Sequence, residues 1–181
     1  MTAEDEETLV LRSLAGDQRA FGELVSAHQQ VLFNVALRML NDREDARDVT
    51  QTAFLKAWRK LDTYDRRNKF FSWIYRILLN EALNQLRQRR RLEPLDERMV
   101  SPERSPEERT EANEIGAIVQ EGLMELGTEH RQMIILRHFL HLSHREMAGL
   151  LNLPEKTVKS RLYTGRQLLG GILRRRGVRP T

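Results

Sequence analysis

The sequence predicts an all-α protein of two small helical domains joined by a flexible acidic linker. Three observations lead there. Apolar residues recur with a helical period along most of the chain, with no convincing alternating strand and no internal repeat. Residues 92–110 (LEPLDERMVSPERSPEERT) break that pattern, with Pro94, Pro102 and Pro106 among many acids and few apolar residues, so they read as an extended linker. Residues 143–169 have the grammar of two short helices around a tight turn. The 181 residues suffice for one ordinary domain or two small ones, and each small domain can bury only a modest core. The division is residues 1–91, an N-terminal helical bundle, the linker 92–110, and a C-terminal domain 111–181.

The elements follow in order. A short helix over about 5–15 stops at Gly16, a suitable residue just past a helix end. Asp17 caps the next, about 18–40, whose apolar stripe is Phe21, Leu24, Val25, Leu32, Val35, Ala36 and Met39. Asn41-Asp42 breaks it and starts a third helix, about 43–61, with Ala46, Val49, Ala53, Phe54, Ala57 and Leu61 inward. A polar loop over 62–69 precedes a fourth helix, about 70–90, that ends in a run of arginines. Ser105-Pro106-Glu107-Glu108 has the form of a helix start, so a fifth helix is expected over 106–126 with Ile115, Ile118, Val119, Leu123 and Leu126 inward. Thr128 is expected to cap a sixth, 129–140, with Met133, Ile134, Leu136 and Leu140 inward.

Ser143 and Glu146 then form a capping box before Met147, Ala148 and Leu151. Asn152-Leu153-Pro154 ends that helix, because proline cannot continue the hydrogen-bond ladder. A last helix starts near Glu155, with Val158, Leu162, Gly165 and Leu169 on one side. The other side carries Lys156, Ser160, Tyr163 and Gln167, flanked by Lys159 and Arg166, residue types suited to base edges and phosphates. The pattern is that of a helix-turn-helix with a recognition helix at 155–169, or of an ordinary helical hairpin with a solvated face. Charge favours the first. The net +4 divides into +3 over residues 1–91, −7 over 92–126 and +8 over 127–181, a basic footprint of the kind duplex DNA attracts.

Two features mark the N-terminal domain. Asp42, Glu44, Asp45 and Asp48 crowd the start of the third helix, and helix capping with a solvated face explains Asp42 and Glu44. No His, Cys or Gly-rich loop lies nearby in the sequence to complete a catalytic carboxylate pair. In the fourth helix Phe71, Ile74, Tyr75, Leu78, Ala82 and Leu86 form the apolar stripe, opposite Lys69, Trp73, Arg76, Asn80, Asn84 and Arg87. A tryptophan among arginine and asparagine suits unstacked DNA, where bases stack on rings and phosphates meet cations; packing of Trp73 on a neighbouring helix is the alternative.

Composition narrows the rest. The chain has no cysteine, which excludes disulfides, thiol chemistry and thiolate metal sites and agrees with a reducing cytoplasm. The acidic N-terminus MTAEDEETLV does not read as a signal peptide, and no apolar run approaches a membrane span. His130, His138, His141 and His144 raise a metal sensor, but the last three straddle an expected helix break, and solvated or capping histidines are the simpler reading. No cofactor is expected.

Together, DARDVTQTAFLKAWRKLDTY, KFFSWIYRILLNEALNQLRQRR and LSHREMAGLLNLPEKTVKSRLYTGRQLL resemble the three signature stretches of bacterial RNA polymerase sigma factors, in the order and short length of the minimal extracytoplasmic-function group. The resemblance covers most of the chain. It implies a cytoplasmic, nucleoid-associated initiation factor that catalyses nothing, binds core RNA polymerase through the large clamp subunit and the flap, reads an upstream and a downstream promoter element, and helps to melt DNA. It places Asp45, Asp48, Gln51 and Phe54 against the polymerase. It places Tyr64, Arg66, Asn68, Lys69, Phe70, Trp73, Arg76, Asn80 and Asn84 at the downstream element, and Lys156, Thr157, Lys159, Ser160, Arg161, Tyr163, Thr164 and Arg166 at the upstream one. An anti-sigma factor is a further partner typical of the family. The sequence departs from the family pattern at Asn152, where glycine is usual, and in the unusually basic loop Asp65-Arg66-Arg67-Asn68-Lys69. An ordinary repressor or activator would share the helix-turn-helix but would have no use for the acidic and aromatic faces of the first domain.

Overall fold

A computed structural model describes residues 3–92 and 111–178, which divide into two compact units, one of residues 3–37 and 43–89 and the other of residues 38–42, 90–92 and 111–178. All described regular structure is helical: α1 (Ala3–Leu14), α2 (Gln18–Leu40), α3 (Arg43–Arg59), α4 (Phe70–Leu92), α5 (Glu111–Glu125), α6 (Thr128–Ile134), α7 (His144–Leu151) and α8 (Glu155–Arg175). Leu92 closes α4. The rest of the expected linker, 93–110, and the expected helix start at Ser105-Pro106 lie outside the described residues.

Local chemistry explains the boundaries of the first unit. Gly16 takes φ +92°, and Asp17 Oδ1 accepts from the N–H groups of Arg19 at 2.9 Å and Ala20 at 3.2 Å, so Asp17 caps α2 as expected. Asn41 ends α2 in the left-handed region with φ 54°. Between α3 and α4 the chain makes a short 3-10 turn, Leu61–Thr63, so Leu61 anchors a turn and not a helix end. The core is the meeting of the expected stripes: Leu24, Leu32 and Val35 of α2, Ala46, Val49 and Ala53 of α3, and Ile74, Tyr75, Leu78 and Ala82 of α4 are all buried.

The second unit departs from expectation in three places. Thr128 is the first helical residue of α6 and not its cap; Gly127 is the cap, and its carbonyl accepts from the N–H groups of His130 and Arg131 at 3.0 Å. The α6 path widens into a π-helical turn, Ile135–Phe139, which swings Ile135 and Leu136 into the core and leaves Leu140 half-buried. Ile115, expected inward, is 47% exposed, because the buried stretch of α5 starts further along, at Gln120, Gly122 and Leu123.

The helix-turn-helix forms as read. Ser143 Oγ accepts from Glu146 N at 3.2 Å while Glu146 Oε2 accepts from Ser143 N at 2.8 Å, and Asn152 closes α7 at φ 54°, ψ 47°. Gly122 sets the approach of α5 to α8. A Cβ there would stand 3.1 Å from Leu169 Cδ1 and 3.4 Å from Ile172 Cγ2, so a larger residue would press the α8 side chains back by a few tenths of an ångström.

One buried polar group in the first core has no described partner. The Tyr75 hydroxyl is fully enclosed and makes no hydrogen bond among the described residues, and burial pushes its pKa far up. Tyr75→Phe removes that desolvated group and keeps the ring, so it should leave the fold intact and raise stability by about 1 kcal/mol. Thermal unfolding of the two proteins checks this, and a lower melting temperature for the variant would mean that the hydroxyl is satisfied.

Candidate nucleic-acid interface

Three surfaces carry the expected site residues. The first lies at the loop before α4. Tyr64, Phe70 and Trp73 form an aromatic cluster, with Tyr64 to Trp73 at 5.2 Å between ring centroids, and Tyr64 to Phe70 and Phe70 to Trp73 both at 5.8 Å. Phe70, assigned to DNA by the resemblance, is fully buried. It can only floor the cluster, because its ring fills the core and offers no face to solvent. Trp73 is half-buried: one side packs on Tyr64 and Phe70, as the packing alternative expects, and the rest remains accessible.

Tyr64 Oη donates to the Asn68 carbonyl and closes the loop. Its pKa is pushed up to about 12, mainly by burial and then by the carboxylates of Glu6, Asp65 and Glu7, so it stays a protonated donor. Asp65 accepts from Arg67 N at 3.0 Å and pairs with its guanidinium at 2.8 Å, which holds the Asp65 carboxyl below its ordinary range. Arg66, Asn68 and Lys69 are exposed beside them, and a cavity of about 220 Å3 opens between this loop and Glu6, Glu7 and Val10 of α1. Glu6 Oε1 lies 2.7 Å from His28 Nε2, whose ring faces Phe70 and Phe71. Further along α4, Asn80 and Asn84 are exposed, Arg76 is half-buried, and Arg87 donates to Asn84 Oδ1 at 3.3 Å.

The second surface is α8. Val158, Leu162 and Gly165 are buried, while Lys156, Lys159, Ser160, Tyr163, Thr164 and Arg166 are exposed, Tyr163 at 66%. Thr157 and Arg161 are half-buried. Lys159 pairs with Glu155 at 2.8 Å and Arg161 with Glu129 at 3.2 Å. Arg166 Nε donates to His138 Nε2 at 3.2 Å, so that imidazole nitrogen faces α8. No group of three or more His, Asp or Glu side chains suited to a metal occurs among the described residues.

The third surface was only half legible. Asp48 and Gln51 are exposed on α3, and Phe54 is buried with an edge in a groove of about 670 Å3 between α2 and α3. Asp45 instead turns towards α4, with Gln85 donating to its Oδ1 at 2.9 Å and Arg89 paired to Oδ2. The groove is walled by Phe21, Val25, Phe33, Leu55 and Trp58 and edged by Gln29, Gln30 and Gln51. Phe33, Leu55 and Trp58 escaped the sequence reading. Their signal is position: Leu55 and Trp58 are large apolar residues off the core stripe of α3, and Leu55 is 52% exposed.

His138 offers a test of the α8 geometry. Partial burial lowers its pKa most, and the nearby charges of Arg166, Arg137 and His141 lower it further. A depressed folded value means that the folded state holds its proton less tightly than the unfolded chain. This contribution is therefore fully favourable above the unfolded pKa and is lost as pH falls through the folded one. NMR titration should place His138 below the ordinary value of about 6.5, and Arg166→Ala should move it part of the way back up. A His138 that titrates at or above the ordinary value would contradict the contact.

Comparison with known proteins follows the same two units. Residues 24–92 match sigma-70 region 2, and residues 117–169 match sigma-70 region 4. The RNA polymerase sigma-H factor of Pseudomonas aeruginosa is 32% identical over 96% of each chain. The ECF RNA polymerase sigma factor SigW of Bacillus subtilis is 30% identical over 88% of this chain and 91% of its own. Among solved structures, CnrH in complex with the cytosolic domain of CnrY superposes with a TM-score of 0.71 at 28% identity, covering 93% of this chain and 97% of that one. The sigma factor RpoE of Bartonella quintana, solved with the anti-sigma factor NepR, shares the fold with a TM-score of 0.68 at 23% identity, covering 85% of this chain and 96% of that one. No described helix is long and apolar enough to cross a membrane. The chain belongs to the extracytoplasmic-function sigma factors of bacterial RNA polymerase, which are transcription initiation factors and not enzymes.

Proposed function

We propose that the protein binds core RNA polymerase, directs it to promoters through an upstream and a downstream element, and helps to melt the DNA at the second. The observation that carries this is the half-buried Trp73, packed at a tilt against Tyr64, in a segment that also exposes Arg66, Lys69 and Asn80. A protein that reads only duplex DNA has no need of such a surface. An indole held on one side by other rings presents a fixed face to an unstacked base at little further entropy cost. The loop 65–69 and Asn80 would hold that base, and Arg76, Asn84 and Arg87 would follow the strand. Phe70 contributes by supporting the rings.

In α8, Lys159, Ser160, Tyr163 and Thr164 would meet bases of the upstream element, with Lys156 and Thr157 at the entry of the helix. Arg161 and Arg166, at the flanks, would hold phosphates. Polymerase docks in this reading on Asp48, Gln51 and the groove edged by Phe54. The groove has room for apolar side chains of a helix, and Asp48 answers its basic residues. A protein that acts with the polymerase would work in the cytoplasm and, in the holoenzyme, on the nucleoid. An anti-sigma partner remains an expectation from the family.

Reconstitution with core polymerase tests the whole reading. Asp48→Arg should weaken core binding by about 1–3 kcal/mol at moderate salt without unfolding the chain, since the residue is exposed. Wild-type affinity for that variant would move the docking face elsewhere.

Trp73→Ala should bind core and occupy closed promoter DNA yet yield little permanganate-reactive thymine on a duplex template. Stacking is worth about 1–3 kcal/mol per base, close to the cost of unstacking one step. A pre-melted bubble should restore transcription. A variant that the bubble does not rescue, or that unfolds, would assign Trp73 to the core alone.

A further inference from the structure

Asp45 has different neighbours from the rest of the acidic face. It stands in the first turn of α3 with its side chain 20% exposed, receives a hydrogen bond from Gln85 and pairs with Arg89, itself 32% exposed. Asp48, one turn on, points to solvent. Gln85 and Arg89 are four residues apart on α4, and Glu81 lies four before Gln85. Glu81 pairs with Lys56, near the other end of α3, at 2.7 Å. Glu81, Gln85 and Arg89 therefore form a polar seam against α3. An anion meets a cation at one end and a cation meets an anion at the other. The opposed charges fit the antiparallel arrangement that is present, since parallel helices would set like charges against each other, and a slip of one turn would leave both pairs unmade.

This seam matters because apolar burial along α4 stops early. Ala82 is the last described α4 residue that is buried, and from Leu83 on the described side chains are half-buried or exposed. Asn84 and Arg87 lie in that last part. Arg89 sits roughly 180° around the helix from Asn80. It is thus turned away from the strand-binding side, and its pairing fixes the roll of the helix end that carries Asn84 and Arg87.

We propose that Asp45 is a positioning residue for the DNA-reading side of α4, acting through Arg89 and Gln85, and is not itself a polymerase contact. The inference rests on the function proposed above for α4. It makes the start of the docking helix and the end of the strand-binding helix one mechanical piece, so that seating α3 on a partner also orients α4.

A charge swap tests it in reconstituted holoenzyme. Asp45→Arg and Arg89→Asp should each lower open-complex formation on duplex promoter DNA by about tenfold at saturating core, the size expected for a broken pair of coupled neighbours. The double variant should return to within about twofold of wild type, and its core affinity should match. Asp45→Asn keeps an acceptor for Gln85 and avoids placing two cations together, so it should fold normally and show an intermediate loss, which covers the case in which Asp45→Arg unfolds. A double variant that still binds core weakly would overturn the proposal in favour of a direct polymerase contact. Normal opening by Asp45→Asn together with a swap that rescues nothing would overturn it as well. A wild-type holoenzyme that opens no promoter would overturn the proposed function itself, an outcome read before any variant is compared.

Discussion

The second unit depends on one guanidinium. Arg131 is only 4% exposed, and its Nε donates to the Leu123 carbonyl at 2.8 Å while Nη2 donates to Met124 at 2.9 Å and Leu126 at 3.1 Å. These carbonyls belong to the last turn of α5 and the corner after it, where a helix leaves acceptors without internal partners. Only Leu126 and Gly127 separate α5 from α6, so one side chain can reach the carbonyls on both sides of the corner. An apolar residue at 131 would fill the space and leave several buried acceptors unmet, at about 1–3 kcal/mol each. The same corner fixes α6, whose His130 lies where a Cβ on Gly165 of α8 would reach it at 3.4 Å. The seat of α8 is thus traceable to a charged side chain in the interior.

Small cores have a second consequence. A helix around a small core shows one side to that core and the other to solvent, and some side chains lie at the border between the two. Trp73 is one such residue, and Phe54 is another, buried against α2 and α3 yet edging the groove. Arg161 pairs with Glu129 while remaining at the rim of the recognition face. Packing holds these side chains in place, which in the proposed complex would limit how far they must be ordered when a partner arrives.

This also explains what could be read from sequence. Asp17, Ser143 with Glu146, and Asn152 act on backbone within a few residues of themselves, so their roles are written locally. The helical stripes, the all-α class and the exposed side of α8 follow from periodicity for the same reason. What escaped joins distant residues. Gln85 reaches Asp45 across forty positions, the α2–α3 groove needs two helices at once, and Phe70 is buried by rings that lie on both sides of it in the chain. Arg131 carries no sequence signal at all, since a single arginine on a short helix is ordinarily solvated. Thr128 misled because a threonine before a helix is usually a cap, whereas here the glycine ahead of it takes the capping conformation.

The net positive charge of the C-terminal part overstates what is free to act. Lys159 leans on Glu155, Arg161 on Glu129, Arg175 and Arg176 on Glu125, and in the first unit Arg67 folds back on Asp65. These pairs lie largely at the surface, where an ion pair is worth about 0–1 kcal/mol. Such a bond restrains a long side chain without committing it. In the proposed complex a phosphate would displace the carboxylate, and the exchange would release less counterion than a bare cation would. The affinity for arbitrary DNA is then lower than the count of arginines implies, while a site that also satisfies Ser160 and Tyr163 loses nothing in base contacts. In that complex, self-pairing of the cations would shift the balance from grip towards reading, which suits an initiation factor that must leave most of the genome unoccupied.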